Sequence, residues 1–334
     1  MDVVTGGCGF IGSHLVDRLI ADGRRVRVVD DLSVGREANL EQHRGERRLE
    51  VVVADVADSV AVETACEGAD RILHLAARAD IVPSIEMPQA YFRANVDGTR
   101  GLLTAALEAG AERIVYTSSV ATLGLVPGGS ADEETRSSVD DMIGPYKRSK
   151  FMAEEVARGF ARERGLPVVI VNPSTPVGPG DIKPTPTGRL IVEAARGQMP
   201  AFVDTGLNIV HVDDVAEGHL AAAEKGRIGE RYILGGENMA LAEILAEVAQ
   251  AVGRRPPWLR VPHGVLFPVA IGAELAARVT GRDPFVTLDG VRMSRKKMYF
   301  TSEKASHELG YAPRPAREAI ADAVSWFRDN GYLQ

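Results

Sequence analysis

The sequence predicts an α/β fold, in which a doubly wound parallel sheet is joined to a smaller, mostly helical unit. Through the first half of the chain, short valine-rich runs alternate with longer segments of helical periodicity. Uninterrupted apolar strands separated by helices are typical of a parallel sheet that is covered on both faces. A glycine-rich turn joins the first strand to the first helix, and the patterns after residue 235 are mostly helical. We therefore expect a Rossmann-like sheet followed by a helical C-terminal unit.

The bulk composition narrows the class of protein. At 334 residues the chain is long enough for about two domains. Its net charge of −7 argues against a general nucleic-acid-binding protein, which would carry a basic surface. The two cysteines and the absence of a ligand cluster in the sequence indicate neither a disulfide framework nor a metal site. With no signal-peptide pattern and no long uncharged run, we expect a cytoplasmic protein without stable membrane insertion.

The turn after the first strand carries the pattern of a dinucleotide site. It reads Thr5-Gly6-Gly7-Cys8-Gly9-Phe10-Ile11-Gly12. Gly6 allows a tight turn, Gly9 lets backbone N–H groups approach a pyrophosphate, and Gly12 lets the following helix pack close to the strand. The N-terminus of that helix offers partial positive charge to the phosphates. The turn therefore predicts a bound dinucleotide, with Phe10 and Ile11 among its contacts.

The second strand predicts which dinucleotide is bound. Its apolar run covers 26–29 and ends at Asp30 and Asp31, about 20 residues beyond the glycines. In dinucleotide sites an acid at this place binds the hydroxyls of the adenosine ribose. Two carboxylates would also repel a 2′-phosphate, so we predict NAD rather than NADP.

The remaining elements complete the sheet and indicate a second domain. Further strands are expected over 51–53, 71–75, 113–117, 168–171 and 232–234, and helices over 88–109, 145–164 and 211–225. Residues 172–188 contain five prolines and three glycines, which predicts a long functional loop. We expect a cofactor domain of residues 1–171 plus 201–234 and a substrate domain of 172–200 plus 235–334. Ligands in such folds bind at the carboxyl ends of the strands.

Three side chains near this sheet edge suit proton transfer. Tyr146 and Lys150 lie four residues apart and share one face of the predicted helix. A tyrosine must lower its pKa from near 10 to about 7 to act as a base, which requires about 4 kcal/mol. A nearby ammonium group and the positive charge of an oxidised nicotinamide supply this in a low-dielectric cleft. Ser118 and Ser119 end the fifth strand, where either one presents a hydroxyl to substrate or caps a turn.

In combination, these motifs resemble the extended short-chain dehydrogenase/reductase family over almost the whole chain. The motifs are TGGCGFIG, HLAA at His74, the paired serines and YKRSK. The resemblance implies that Tyr146 is the base, that Lys150 activates it and binds the cofactor, and that Ser119 rather than Ser118 orients the substrate. It also implies further NAD contacts at Asp55, Val56, Leu75, Ala76, Ala77, Asn95 and Pro173.

The resemblance to subfamilies is divided. Residues up to about 90 are similar to nucleotide-sugar 4-epimerases, whereas the chain from about 91 onward is similar to the hopanoid-associated sugar epimerase group. This similarity implies substrate contacts at Ser84, Ser119 and Asn172. It also implies a homodimer through the helices over 88–109 and 145–164.

The far end of the substrate site departs from the nucleotide-sugar pattern. Leu207 stands where those relatives carry an arginine that clamps the diphosphate. Leucine makes no charge-assisted contact, so we expect Arg292 or Arg295 to replace that contact if the substrate carries a phosphate. If the substrate carries none, Leu207 is expected to pack against an apolar aglycone.

The sequence favours one function over its main alternative. The favoured function is an NAD-dependent epimerase of a sugar, preferably nucleotide-linked and otherwise lipid-linked, in which a hydroxyl is oxidised to a ketone and the hydride returns to the other face. The alternative is an NAD(P)-dependent reductase or dehydrogenase of a small or isoprenoid-type ketone or alcohol, similar to dihydroflavonol reductases. A sugar dehydratase is disfavoured, because those relatives place an Asp-Glu pair where this chain has Ser118 and Ser119. A binding protein without turnover is disfavoured because all three catalytic side chains are present.

Overall fold

The computed structural model describes residues 1–280, 291 and 294–334. These residues form twelve strands, namely β1 (Asp2–Thr5), β2 (Val26–Asp30), β3 (Leu49–Val53), β4 (Arg71–His74), β5 (Arg113–Thr117), β6 (Val168–Pro173), β7 (Thr175–Val177), β8 (Ala201–Phe202), β9 (Gly206–His211), β10 (Arg231–Leu234), β11 (Glu237–Ala240) and β12 (Leu259–Arg260). Seven of them form a parallel sheet in the order β3-β2-β1-β4-β5-β6-β10. This is the predicted Rossmann-like sheet, and the fold class is confirmed.

Helices cover both faces of this sheet. They are α1 (Phe10–Ala21), α2 (Ser59–Cys66), α3 (Ile81–Glu86), α4 (Pro88–Phe92), α5 (Gly98–Glu108), α6 (Gly144–Arg164), α7 (Pro186–Arg196), α8 (Val212–Lys225), α9 (Leu241–Ala251), α10 (His263–Thr280), α11 (Glu303–Leu309) and α12 (Ala316–Asp329). A π-helical segment, Arg93–Asp97, joins α4 to α5, so the helix predicted over 88–109 is continuous but not regular. None of the described helices is long and apolar enough to span a bilayer.

Neighbouring residues of each strand pack into different cores, as the alternation of side chains in a strand requires. Val4 of β1 packs with Leu15 of α1 and Val215 of α8 on one face of the sheet. Val3 packs with Leu102 of α5 on the other face, together with side chains of α2 and α6. Because both faces are covered, the inner strands are mostly apolar, and this run of apolar residues predicts them in the sequence. The edge strand β3 is largely exposed.

The region predicted as a loop over 172–188 is more regular than expected. β6 extends to Pro173, β7 occupies Thr175–Val177, and α7 begins at Pro186, so the irregular part is confined to 178–185. Pro176 is tolerated in β7 because this strand lies at the edge of its sheet, where a missing N–H donor leaves no ladder bond unmade. The prediction was wrong for β7 because proline was taken to exclude a strand.

Two small sheets accompany the large one. The order of the first is β11-β9-β7, and β8 pairs with β12 in the second. A separate core lies beneath the first small sheet, where Ile209 of β9 packs against Ile191 of α7, Ile244 of α9 and Phe327 of α12. The strands β8 and β9 thus lie outside the seven-stranded sheet, whereas α8 packs on α1. The division into cofactor and substrate domains stays a prediction.

Candidate active site

The glycine turn packs so closely against neighbouring backbone that side chains there would collide with it. Gly6 has φ +71°, in the left-handed region, and a Cβ built on it would lie 2.7 Å from the backbone nitrogen of Ala76. A Cβ on Gly12 would lie 2.1 Å from the carbonyl oxygen of Gly6, and one on Gly9 would lie 3.1 Å from the same atom. The first turn of α1 follows directly, and its N–H groups, which lack intrahelical partners, make the turn a backbone cradle. Such a cradle fits the pyrophosphate of NAD.

The two carboxylates after the cradle point in different directions. Asp30 is buried, and it accepts hydrogen bonds from the backbone N–H of Cys8 at 3.0 Å and of Leu32 at 2.9 Å. Burial raises the pKa of Asp30, and these two hydrogen bonds oppose the increase. Asp31 is exposed and accepts from the N–H and hydroxyl of Ser33 instead. Asp30 therefore lies against the glycine turn, whereas Asp31 caps a surface turn.

A wall formed by the chain after β4 faces the cradle. The N–H of Leu75 donates to the carbonyl of Thr5 at 3.0 Å, and the N–H of Ala76 donates to the Thr5 hydroxyl at 3.2 Å. Asn95, on the π-helical segment, is bonded to both backbone groups of Arg78, with the N–H of Arg78 2.7 Å from its Oδ1. Ala77 lies between these anchored positions, so Asn95 supports the wall from behind.

The other predicted cofactor residues lie around the same sheet edge. Asp55 follows β3 and forms an ion pair with Arg93 at 3.0 Å. Val56 is buried next to Gly98 of α5. Phe10 and Ile11 open α1, and Pro173 is the last residue of β6.

The side-chain hydroxyls of Ser119 and Tyr146 lie next to each other. The Ser119 hydroxyl accepts from the N–H of Ala121 at 3.1 Å, so this serine caps a turn. Burial raises the pKa of Tyr146 above its usual value, the neighbouring Ser119 hydroxyl lowers it, and the negative charge of Asp80 raises it again. Without further positive charge, Tyr146 is therefore a proton donor at neutral pH.

Lys150 lies one helical turn beyond Tyr146 and is buried beneath it. Its Nζ donates to the carbonyl of Thr117 at 2.7 Å and lies 5.2 Å from the centre of the Tyr116 ring. Burial lowers the pKa of Lys150 to about 8, although the negative charge of Glu154 opposes the decrease. The ammonium group is thus fixed at the carboxyl end of β5.

A buried polar network lies behind Ser119, and the sequence analysis missed its centre. Glu154 of α6 accepts from the hydroxyls of Ser118 at 2.5 Å and Thr122 at 2.8 Å, and from Asn172 Nδ2 at 3.0 Å. Its other oxygen lies 3.1 Å from the guanidinium of Arg231, and their side chains are 3% and 17% exposed. The side chains of Asn172 and Ser118 therefore belong to this network, and their bonds to Glu154 hold the turn at Ser119 in place.

Removing the Glu154 carboxylate is expected to destabilise the fold. Glu154→Ala removes the carboxylate that pairs with the largely buried Arg231 and that accepts from Ser118, Thr122 and Asn172. Arg231 keeps its bond to the carbonyl of Glu133, so we expect a loss of about 3 kcal/mol of unfolding free energy. The free energy of unfolding in urea measures this effect. The neighbouring Glu155→Ala is the matched control, because Glu155 is 54% exposed and its pair with Arg158 is 3.6 Å long. The control should change stability by less than about 0.5 kcal/mol, and equal effects in both variants would show that the network carries no stability.

A cleft of about 830 Å³ adjoins the Ser119–Tyr146 pair. Its apolar wall comprises Val120, Ala121, Leu123, Leu125, Val126, Met142, Ile143 and Met298. Its charged lining comprises Arg136, Asp141, Lys147, Arg295, Lys296 and Lys297. Burial lowers the pKa of Lys147, and the positive charge of Lys296 lowers it further. Apart from Arg295, none of these positions was predicted as a site residue, although Lys147 lies within the YKRSK motif and Lys296 and Lys297 adjoin Arg295. The loop that carries the apolar wall has no motif.

Among the described residues, Arg295 is the one predicted substrate contact that lines this cleft. Ser84 is buried in α3, which packs against α6. Leu207 packs with Met239 on the core beneath β9, and its backbone bridges to that of Met298 in the cleft wall. Arg292 lies outside the described residues.

No group of three or more His, Cys, Asp or Glu side chains in the described part of the chain is arranged to hold a metal ion. His74 is occupied structurally, because Thr5 and Thr99 are bonded to its two ring nitrogens at 2.6 and 2.9 Å. Burial, and secondarily the charge of Lys150, lowers the pKa of His74 to about 3 and keeps it neutral.

Comparisons with known proteins agree with this geometry. The model of the NAD dependent epimerase/dehydratase family matches residues 3–235. A putative dihydroflavonol 4-reductase of Synechocystis sp. is 43% identical, with 99% of this chain and 95% of the relative covered. The sterol demethylase protein B of Methylococcus capsulatus is 33% identical, with 99% of both chains covered. A dTDP-glucose 4,6-dehydratase of Streptomyces venezuelae, a double mutant solved with NAD bound, is 28% identical and superposes with a TM-score of 0.81 over 99% of this chain and 97% of that one.

Proposed function

The chain belongs to the NAD-dependent epimerase/dehydratase family, and from this premise we propose that it transfers hydride between NAD and a secondary alcohol or ketone of a largely apolar, isoprenoid-type substrate. The observation that carries the proposal is that Ser119 and Tyr146 lie next to each other and that their chain neighbours Val120, Ala121 and Lys147 line a cleft with an apolar wall. Two relatives that match this chain over nearly their whole length are named as a putative dihydroflavonol 4-reductase and a sterol demethylase protein, and these names support the same function. Leu207, where nucleotide-sugar relatives carry an arginine, supports it further.

The cofactor site is proposed to use the residues predicted from the sequence. Gly6, Gly9 and Gly12 hold the pyrophosphate, Asp30 the adenosine ribose, and Lys150 the nicotinamide ribose. The bound NAD accepts or supplies the hydride. Its positive charge in the oxidised form also lowers the pKa of Tyr146, which burial alone keeps high.

Tyr146 and Ser119 act together on the substrate oxygen. In oxidation, the hydroxyl proton of the substrate moves to the Tyr146 oxygen while the hydride leaves the same carbon for the cofactor. In reduction, Tyr146 returns its proton to the ketone oxygen and Ser119 donates a hydrogen bond to it. Lys150 stabilises the phenolate form, and the carbonyl of Thr117 fixes its position. Sugar dehydration is not proposed, since Ser118 and Ser119 stand where dehydration requires an acid.

An NAD-dependent sugar epimerase is the second candidate, and the cations of the cleft favour it. Arg136, Lys147, Arg295 and Lys296 all line the cleft near Tyr146, and such side chains bind phosphate groups. In this reaction the ketone turns over inside the cleft and receives the hydride on its other face. NAD is then regenerated in place and remains bound.

Release of the cofactor and a substrate screen distinguish these candidates. The purified protein is heated, and the supernatant is assayed for NAD. A protein that is largely empty and oxidises NADH with polycyclic ketones supports the reductase, whereas stoichiometric NAD and conversion of a nucleotide sugar support the epimerase. For the epimerase, Arg295→Ala is expected to raise the KM of the nucleotide sugar about tenfold, equivalent to about 1.4 kcal/mol. Stoichiometric NAD without oxidation of NADH by any ketone would exclude the first proposal.

The protein is expected to bind NAD more tightly than NADP. Asp30 accepts ribose hydroxyls, and its carboxylate repels a 2′-phosphate at the same place. Asp30→Ser is expected to reduce the preference about tenfold or more, as loss of a charged hydrogen-bond acceptor does. Asp31→Ser is the matched control, since Asp31 lies on the exposed side and is bonded to Ser33. Fluorescence titration of the stripped proteins measures both affinities, and equal binding of the two cofactors by the parent protein would contradict the assignment.

Binding of NADH is expected to weaken as the pH rises through about 8. Burial places the pKa of Lys150 at about 8, so its ammonium group loses the proton, and one charged donor to the ribose, in that range. The loss of such a bond lowers affinity about tenfold. In Lys150→Arg the guanidinium stays protonated, and the decrease should move to higher pH. An unchanged pH dependence in this variant would show that another group titrates.

A further inference from the structure

The segment between α9 and the middle of α10 differs from the rest of the chain in charge. Residues 248–273 contain three arginines, Arg254, Arg255 and Arg260, and no Asp or Glu, although the chain as a whole has a net charge of −7. Arg254 and Arg255 are exposed, and the side chain of Arg260 is 62% exposed. Because Arg260 is paired with Asp204, Arg254 and Arg255 give this part of the surface its positive charge.

The same segment exposes large apolar side chains. Trp258 is 86% exposed, Val265 55% and Leu259 46%. Together with Arg254 and Arg255 they form what we call the Trp258 patch. An exposed cluster of this kind marks an interaction surface rather than ordinary surface variation. The patch is held in place, because β12 pairs with β8 and the N–H of Val261 donates to the carbonyl of Phe202 at 2.8 Å.

The combination of side chains indicates the kind of partner. A tryptophan ring with an apolar body and one N–H donor prefers the interface between water and lipid. Arginines beside it attract anionic headgroups, and the two effects add in reversible binding to a membrane surface. A surface that meets anionic lipids is expected to lack acidic side chains, as this segment does. Binding a protein of ordinary composition would not require that absence.

The patch also lies beside the opening of the cleft. Arg260 forms an ion pair with Asp204 at 2.6 Å, and Asp204 lies 3.5 Å from the ammonium group of Lys297. Lys297 in turn lines the cleft next to Met298. Two ion pairs therefore connect the base of the patch to the cleft wall.

We propose that the Trp258 patch docks the protein reversibly on an anionic lipid bilayer, with the cleft opening close to the lipid surface. Trp258 and Leu259 enter the headgroup region, and Arg254 and Arg255 pair with the anionic lipids. The docking does not depend on the reaction, whereas a role in delivering an apolar substrate to the cleft rests on the proposed function.

Tryptophan fluorescence tests the docking without any substrate. The chain has two tryptophans, Trp258 and Trp326, and Trp326→Phe leaves Trp258 as the only reporter. Trp326 packs against Phe327 and Tyr332, so phenylalanine keeps an aromatic ring there. Vesicles of phosphatidylcholine with one quarter phosphatidylserine should shift the emission to shorter wavelength. Pure phosphatidylcholine should have a much smaller effect, and 0.5 M salt should reverse the shift, since salt screens exposed charges.

Co-sedimentation with the same vesicles tests the individual side chains on the otherwise unmodified protein. Trp258→Ala and the pair Arg254→Ala with Arg255→Ala should each lower the partition coefficient about tenfold or more. Val60→Ala is the matched control, because Val60 is 69% exposed on α2, far from the patch in sequence, and it should bind as the parent does. Circular dichroism verifies that each variant is folded.

Three results would overturn the proposal. The first is no association with anionic vesicles, and the second is association that is unaffected by Trp258→Ala. The third is a concentration-dependent dimer that Trp258→Ala dissociates, which would make the patch a contact between two copies of the chain. The release of NAD and the ketone screen report on the reaction separately, so failure of the docking leaves the proposed function intact, and the reverse also holds.

Discussion

Tyr146→Phe is expected to lower kcat about 10³-fold, within the range that a positioned acid–base group contributes, while the affinity for NAD changes by less than about twofold. The substitution removes the one hydroxyl that lies next to Ser119, and it leaves the aromatic ring in place. Both proposed reactions need this hydroxyl to take up or return a proton, so the loss should appear with a ketone substrate and with a sugar substrate alike.

Tyr91→Phe is the matched control for this loss. Tyr91 is buried on α4 and its pKa is raised to about 12, mainly by burial, so it stays protonated and cannot replace the base. Its variant should turn over within about twofold of the parent, since it contributes no proton to the reaction. If Tyr146→Phe kept a tenth of the parent rate, the barrier would have risen by only about 1.4 kcal/mol, and the base would be another group.

The strands and the glycine turn could be predicted because their determinants are local. β1 to β6 are rich in valine, isoleucine and leucine, and the structure places each of them within a few residues of its predicted bounds. The inner strands are apolar because both faces of the sheet are covered there, whereas the edge strand β3 is largely exposed. The glycines at positions 6, 9 and 12 are required by contacts within eight residues of the turn or with the adjoining strand, so the spacing alone indicates the geometry.

Burial of charged groups depends on contacts that the local sequence does not contain. Glu154 lies on a predominantly polar helix, where a glutamate is usually exposed. It is buried because Arg231, 77 residues further along the chain, closes over it. The lining of the cleft by Arg136 and Lys147 likewise arises only when the loop before α6 folds against the chain after residue 293.

The direction of the two carboxylates after β2 could have been read from the strand itself. The prediction of NAD used both carboxylates, but side chains alternate between faces along an extended chain, so adjacent residues do not both reach one ribose. The structure buries Asp30 and leaves Asp31 exposed. The electrostatic argument for NAD therefore depends on Asp30.

The second large effect is expected from side chains introduced into the glycine turn. A Cβ at position 12 would lie 2.1 Å from the carbonyl oxygen of Gly6 and 2.8 Å from the Cα of Gly7. Both neighbours are backbone atoms, so no side-chain rotation can relieve the collision. Gly12→Ala must therefore open the turn, which should lower the affinity for NAD about a hundredfold or more, a loss of about 2.8 kcal/mol. Isothermal titration with NAD measures this, together with the midpoint of thermal unfolding.

Two further substitutions make this a graded series. At Gly9 a Cβ would lie 3.1 Å from Gly6, so Gly9→Ala should keep the fold and weaken NAD about tenfold, by obstructing the approach of the pyrophosphate. Gly101, on α5, has nothing within 4 Å of the built Cβ, so Gly101→Ala should leave NAD binding unchanged and raise stability by about 0.5–1 kcal/mol. Gly9→Ala is expected to weaken NAD binding without unfolding the protein, so it separates binding from folding. If only Gly12→Ala lost affinity for NAD, and lost stability to a matching extent, the turn would be structural and the pyrophosphate would bind elsewhere.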